Sequence, residues 1–160
     1  MRMSFDPGPW RGELLAFVSR MGAAAEAEDV VQETFLRALE HPPATHPRAW
    51  LYRIALNEVR LRRRSLRRGA AAVPKVARPA YDDRAPGPAE LSERRDLAER
   101  AWRLVEQLPD GQRAALFLRI QRHMDYEEIA VALDCSVPTA RQHVYLGLKA
   151  VRDSLLEEEK

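Results

Sequence analysis

One cysteine, Cys135, serves a chain of 160 residues. A lone thiol forms no intrachain disulfide, so packing must hold the fold and a reducing compartment is expected. Long hydrophobic runs are also missing, and none approaches the roughly 18 residues that cross a bilayer. Met1 to Pro9 lacks the basic and apolar zones of a secretion signal and reads as a frayed leader. The expected location is therefore the cytoplasm, with no membrane insertion. The histidines His41, His46, His123 and His143 fall at no metal-ligand spacing, so no metal is expected. No strand-like alternation occurs, and an all-α fold is expected. Nothing suggests catalytic residues, a cofactor or a small-molecule substrate.

What is there centres on Asp125 to Tyr145. Asp125 stands where a helix wants an N-cap acceptor, and Glu128 three residues on completes a capping box. Tyr126, Ile129, Ala130 and Leu133 recur at helical spacing and bury one face. Asp134-Cys135-Ser136 then makes a short turn. Cys135 there reads as a small packed residue, with a redox role as the alternative. Ser136 caps a second helix, with Pro138 in its first turn, where the missing N–H costs nothing. Val144, Leu148 and Val151 are expected inside it. Thr139, Arg141, Gln142, His143 and Tyr145 are left mainly for the outer side, and the helix is the right size for a major groove. A plain helical hairpin in an all-α core fits the apolar pattern equally well, but the polar outer face favours DNA.

Charge is distributed unevenly. Residues 1–47 carry 4 basic and 7 acidic side chains, whereas residues 48–78 carry 10 basic and 1 acidic. The remaining stretches are slightly acidic, so the net +2 hides one positive block. Blocks of that kind point to a polyanion.

In chain order, a helix from Trp10 offers Leu14, Leu15, Phe17, Val18 and Met21, and Gly22 to Ala25 ends it. A second helix, about 26–39, turns Ala27, Val30, Val31, Thr34, Phe35 and Ala38 inward. Asp29, Gln32 and Glu33 share its other side, which by itself says only that the face is solvated. Pro42-Pro43 makes 40–46 a loop. The helix opened by Pro47 turns Leu51, Ile54, Ala55 and Val59 inward and sets Trp50, Arg53, Asn57, Arg60 and Arg64 along one outer face. That face offers an aromatic for stacking, an amide for base edges and guanidinium groups for phosphates. For Trp50, burial and nucleic-acid contact remain equally open. The run Arg60, Arg62, Arg63, Arg64, Arg67, Arg68 repels itself unless a polyanion relieves it. Residues 69–88 hold four prolines and no periodicity and read as a flexible linker. Beyond it, 89–108 is helical, with Leu91, Leu97, Ala98, Ala101, Leu104, Val105 and Leu108 apolar. Asp110 is expected to cap a helix carrying Ala114, Ala115, Leu116, Leu118 and Ile120.

Several of these segments, in this order, resemble the extracytoplasmic-function sigma factors of bacterial RNA polymerase. They are Ala27 to Phe35, Pro47 to Asn57, Leu108 to Arg113, and Tyr126 to Ala130 with the helix after it. The resemblance implies two small helical domains joined by a linker: 10–68 for core polymerase and the minus-ten element, 69–88 as linker, and 89–156 as a helix-turn-helix for the minus-thirty-five element. It implies that Asp29, Gln32 and Glu33 dock on core RNA polymerase. It further implies that Trp50, Arg53, Asn57, Arg60 and Arg64 open minus-ten DNA while the loop 40–46 receives a flipped base. Pro138, Thr139, Arg141, Gln142, His143 and Tyr145 would read the minus-thirty-five duplex. Core polymerase, promoter DNA and an anti-sigma factor are the implied partners.

Leu146-Gly147 departs from the Arg-Ala common in that family, and the glycine is expected to weaken its helix by roughly 1 kcal/mol against alanine. The near-neutral C-terminal module should bind DNA feebly without polymerase. Two other readings remain: an autonomous helix-turn-helix regulator, and a sigma mimic that titrates an anti-sigma factor. The sigma reading also requires the arginine ridge to stay clear of the chain's own acidic groups.

Overall fold

The computed structural model describes residues 5–69 and 89–160. Most of the expected linker, with the leader's first four residues, lies outside the described residues. Among those described, the secondary structure is helical throughout. The helices are α1 (Arg11–Val18), α2 (Ala27–Glu40), α3 (Pro47–Gly69), α4 (Ala89–Val105), α5 (Asp110–Leu116), α6 (Tyr126–Leu133) and α7 (Val137–Glu158).

The first group, α1 to α3, forms where its apolar stripes predict. Leu14, Phe17, Val18 and Met21 are fully buried. Gly22, at φ +89°, turns the chain between α1 and α2 in the left-handed region that a side chain would resist. Ala27, Val30, Val31, Thr34 and Ala38 fill the inner face of α2, which packs against α3. The Thr34 hydroxyl, buried, donates to the Val30 carbonyl at 2.7 Å. On α3 the buried set is wider than its sequence suggests, because Tyr52, Leu56 and Glu58 join Leu51, Ala55 and Val59. Part of the leader is also ordered: Phe5 stacks on Trp10 at 5.9 Å, and Pro7 is buried.

The second group is built on local signals that read true. Asp125 Oδ1 accepts the Glu128 N–H at 2.8 Å, and Glu128 Oε2 accepts the Asp125 N–H at 3.1 Å. Asp134 closes α6 in the left-handed region at φ 52°. Ser136 Oγ caps α7 through the Thr139 N–H at 3.2 Å. Other expectations fail. Asp110 is the first residue of α5 rather than its cap. Leu97, Ile120 and Leu148 are about half exposed. The inner stripe of α7 is instead Ala140, Val144 and Gly147. Gly147 is no defect, because a Cβ there would stand 2.9 Å from Leu116 Cδ1. Glycine lets α7 approach α5 closely.

The two groups share one core. Phe17 of α1 lies 5.4 Å from Phe117, just past α5, and edge-on to Tyr52 at 4.9 Å. Trp102 of α4 meets Phe117 at 6.0 Å and lies under the Arg20 guanidinium. Helix α6 packs along α3. Polar contacts fasten the edges. Glu13 takes Arg48 at both oxygens, at 2.7 and 3.0 Å, and Arg48 also donates to the Arg122 carbonyl at 3.2 Å. Burial, then the Glu13 charge, pushes the neighbouring Tyr52 phenol well above its ordinary value. Arg53 of the arginine ridge pairs with Asp134, and Arg60 and Arg63 with Asp110, so the expectation that the ridge would stand clear of the chain's own acids is not met in this arrangement of the chain alone. What fails with it is the ridge's freedom here, not the order of the segments that carries the family resemblance.

Candidate nucleic-acid and polymerase interface

Helix α2 presents Asp29 and Gln32 to solvent because Val30, Val31 and Thr34 are drawn inward. Glu33 is half-buried and accepts from Arg37 Nε at 2.9 Å, one turn further on. Arg37 in turn lies 3.4 Å from the buried Glu58 carboxylate, whose other oxygen accepts from Arg62 Nε at 3.1 Å. A ladder of alternating charge thus runs from the outer side of α2 to α3. Glu58 is a member of this ladder that the sequence does not point to. It stands between Asn57 and Val59 at the head of the arginine run, and nothing local marks a carboxylate drawn inward by the opposite helix.

Along α3, Trp50, Arg53, Asn57, Arg60 and Arg64 do share one side. Trp50 is half-buried, neither a fully enclosed core anchor nor a wholly exposed ring. Its indole N–H donates to the His41 carbonyl at 3.1 Å, closing the loop 40–46 against the helix. Arg53 covers the Trp50 ring at 5.2 Å and pairs with Asp134 at 3.0 Å. Asn57 and Arg64 are exposed, and Arg64 donates to the Arg60 carbonyl. Arg60 lies 3.7 Å from Asp110. Arg63 gives both Asp110 oxygens a hydrogen bond, at 2.7 and 2.8 Å, and donates to the Met21 carbonyl at 2.7 Å. Burial works to raise the Asp110 pKa, but Arg63, Arg113 and Arg60 outweigh it and the net shift is downward.

On α7, Pro138, Arg141, Gln142 and Tyr145 are exposed on one side, with Tyr145 65% accessible. Arg141 rests over the Tyr126 ring at 5.4 Å, which aims its guanidinium without hiding it. Two members of the expected reading set are not free. Thr139 is half-buried and bonded to Ser136 at 2.8 Å. His143 turns back on α5, where a Cβ on Gly111 would stand 2.7 Å from its ring. Both serve packing at least as much as an outer face. Tyr145, Leu148, Lys149 and Arg152 continue the exposed side as a shallow, mainly apolar groove. Among the described residues, no group of three His, Cys, Asp or Glu side chains could hold a metal ion, and no helix is long and apolar enough to cross a membrane.

A capped helix-turn-helix with a polar outer face, preceded by an arginine-ridged helix, is matched by known families in the same order. Sigma-70 region 2 matches residues 9–69, and Sigma-70 region 4 matches residues 98–151. The RNA polymerase sigma-H factor of Pseudomonas aeruginosa is 31% identical over 154 residues, spanning 82% of this chain and 74% of that one. The chain belongs to the sigma-70 family, in its extracytoplasmic-function class. The ECF RNA polymerase sigma-E factor of Escherichia coli K12 is 28% identical over 153 residues, covering 89% of this chain and 80% of its own. Solved sigma factors share the fold. RpoE in complex with the anti-sigma factor NepR, from Bartonella quintana, superposes with a TM-score of 0.67 at 22% identity, covering 93% of each chain. CnrH in complex with the cytosolic domain of CnrY gives 0.59 at 25% identity, covering 95% of this chain and 86% of that one. This sigma factor is accordingly a transcription-initiation protein, and its two matched regions correspond to the two helical groups.

Proposed function

We propose that this sigma factor directs core RNA polymerase to its promoters with a fixed division of labour. Asp29, Gln32 and Glu33 on α2 dock on core polymerase. Trp50, Arg53, Asn57, Arg60 and Arg64 on α3 grip the minus-ten element as it opens, and the loop 40–46 takes a flipped base. Pro138, Arg141, Gln142 and Tyr145 on α7 read the minus-thirty-five duplex, with Thr139 and His143 supporting that helix from its flank. The module boundaries that go with this reading are 10–68, 69–88 and 89–156. The protein works in the cytoplasm, has no catalysis of its own and needs no cofactor. An anti-sigma factor is a partner, as one is for RpoE and as CnrY is for CnrH.

The observation that carries this reading is the partition of α7. Ala140, Val144 and Gly147 are buried while Arg141, Gln142 and Tyr145 stand in solvent. A helix held on one side and polar on the other suits a major groove, where arginine and glutamine meet base edges. Run-off transcription with purified core enzyme on a promoter library is the direct test. Initiation at a discrete promoter class is expected. Tight duplex binding by the isolated protein, with no response to core enzyme, would instead favour an autonomous regulator.

A further inference from the structure

Trp50 makes two hydrogen bonds to the same loop, one at each end of it. Its backbone N–H donates to the His46 carbonyl at 3.0 Å, the first bond of α3, and its indole N–H donates to the His41 carbonyl at 3.1 Å. His41 follows directly on α2 and closes that helix, its own N–H donating to the Arg37 carbonyl at 2.9 Å. One residue of α3 therefore sets the width of the gap that the loop 40–46 spans. The bond to His46 needs only a backbone. The bond to His41 needs a donor at the far edge of a broad, rigid side chain.

The parts around this clasp are stiff. Pro42 and Pro43 fix two φ angles inside the loop. His46 sits at φ 48°, in the left-handed region that side chains ordinarily avoid and that persists only where the surroundings hold it. Arg37 and Glu58, 3.4 Å apart, tie α2 to α3, and the Arg53 guanidinium lies 5.2 Å from the centre of the Trp50 ring. Between the clasped ends, Pro42, Ala44 and Thr45 are exposed. A loop that must take up one base gains by being shaped beforehand. If it has to be ordered on arrival, the cost falls on the correct base, while a wrong base, which is not captured, loses nothing. Slack in the loop therefore lowers discrimination.

We infer that Trp50 is a positioning residue that sets base choice at the minus-ten element, its indole N–H holding the mouth of the loop 40–46 in the shape that admits one flipped base. This rests on the assignment of base capture to that loop. Trp50 acts through the loop, and the edge of its ring matters more than its face.

The test uses the full chain bound to core polymerase. Replacing Trp50 by β-(3-benzothienyl)alanine exchanges the indole N–H for sulfur and keeps the ring's size and its place under Arg53. Trp50→Phe removes the N–H and the wider ring together. Run-off transcription is measured on promoters that differ at single minus-ten bases, and discrimination is the ratio of the favoured base to the others. With the sulfur analogue, discrimination should fall about two- to tenfold at one position, the span that a single hydrogen bond carries. Trp50→Phe should lose at least as much, and preference at the minus-thirty-five element should stay as it is. Undiminished discrimination with the analogue overturns the clasp, as does a loss seen with Trp50→Phe alone, which would assign the effect to the ring. An equal loss at every minus-ten position also overturns it, because that is weakened grip on the strand. Ala44→Ser and Thr45→Val, at exposed places in the loop, should change preference at the same position that the analogue affects. If they change it and the analogue does not, only the clasp falls. If they leave every preference untouched, base capture by the loop falls and takes the clasp with it.

Discussion

The buried carboxylate of Glu58 stands between Arg62, which donates to it at 3.1 Å, and Arg37, 3.4 Å away on the neighbouring helix. It is the only acid in the basic block 48–78, and it lies on the inner side of α3. Glu58→Gln keeps the shape but removes the buried charge that Arg62 and Arg37 share, leaving Arg37 to Glu33 and Arg62 to Glu26. A loss of about 1–3 kcal/mol is expected, the range for unpairing buried polar groups. Urea unfolding monitored by circular dichroism measures it, and Glu33→Gln, on the solvent side of the same ladder, should cost much less.

Gly147→Ala should destabilise the protein although alanine is the better helix former. The propensity gain is about 1 kcal/mol. Against it, the new methyl meets Leu116 Cδ1 at 2.9 Å and Cγ at 3.0 Å, and Leu116 is itself fully enclosed. Overpacking of this kind costs about 1–3 kcal/mol. The thermal midpoint should fall, and a rise would show that α5 and α7 have slack between them.

Arg141→Ala should leave the fold alone, because the side chain is exposed and gives up only its place over Tyr126. Transcription should drop at promoters that depend on the upstream element and hold at those that do not. Losing a good base-edge contact costs about 1–3 kcal/mol of discrimination. Equal loss at every promoter would mean that Arg141 grips phosphate rather than bases.

Asp29→Ala with Gln32→Ala should abolish co-purification with core polymerase without shifting the thermal midpoint, since both side chains are in solvent. Undiminished pull-down would remove the docking role from this face.

Acid should loosen the seam. The Asp110 carboxyl is held below its ordinary value in the fold, so its ion pair stabilises the protein above the unfolded pKa of about 4. That contribution is lost as pH falls through the lower, folded value. Unfolding midpoints of the wild type should decline on acidification below about pH 4, and Asp110→Asn should flatten that part of the profile. An identical decline in both proteins would assign the effect to other carboxylates.

What the sequence showed was mainly local. The Asp125–Glu128 box, the Ser136 cap and the Pro138 start are each written within four residues, and each forms as read. The apolar stripes of α1 and α2 follow from periodicity, which needs no knowledge of the partner. The inward turn of Glu58, the close approach at Gly147, the folding of His143 onto Gly111 and the pairing of Arg63 with Asp110 all depend on segments distant in the chain. Asp110 illustrates the difference well. Its position before an apolar run predicts a cap, but an arginine 47 residues away competes for the carboxylate and takes it.

The joint between the helical groups is made of two materials. Phe17 against Phe117 is oily contact, which weakens on cooling and is not weakened by ionic screening. The guanidinium clasps at its rim respond to ionic strength. A cell that chills or takes up salt therefore loosens different halves of the same seam, and each physical insult alone leaves the other half holding.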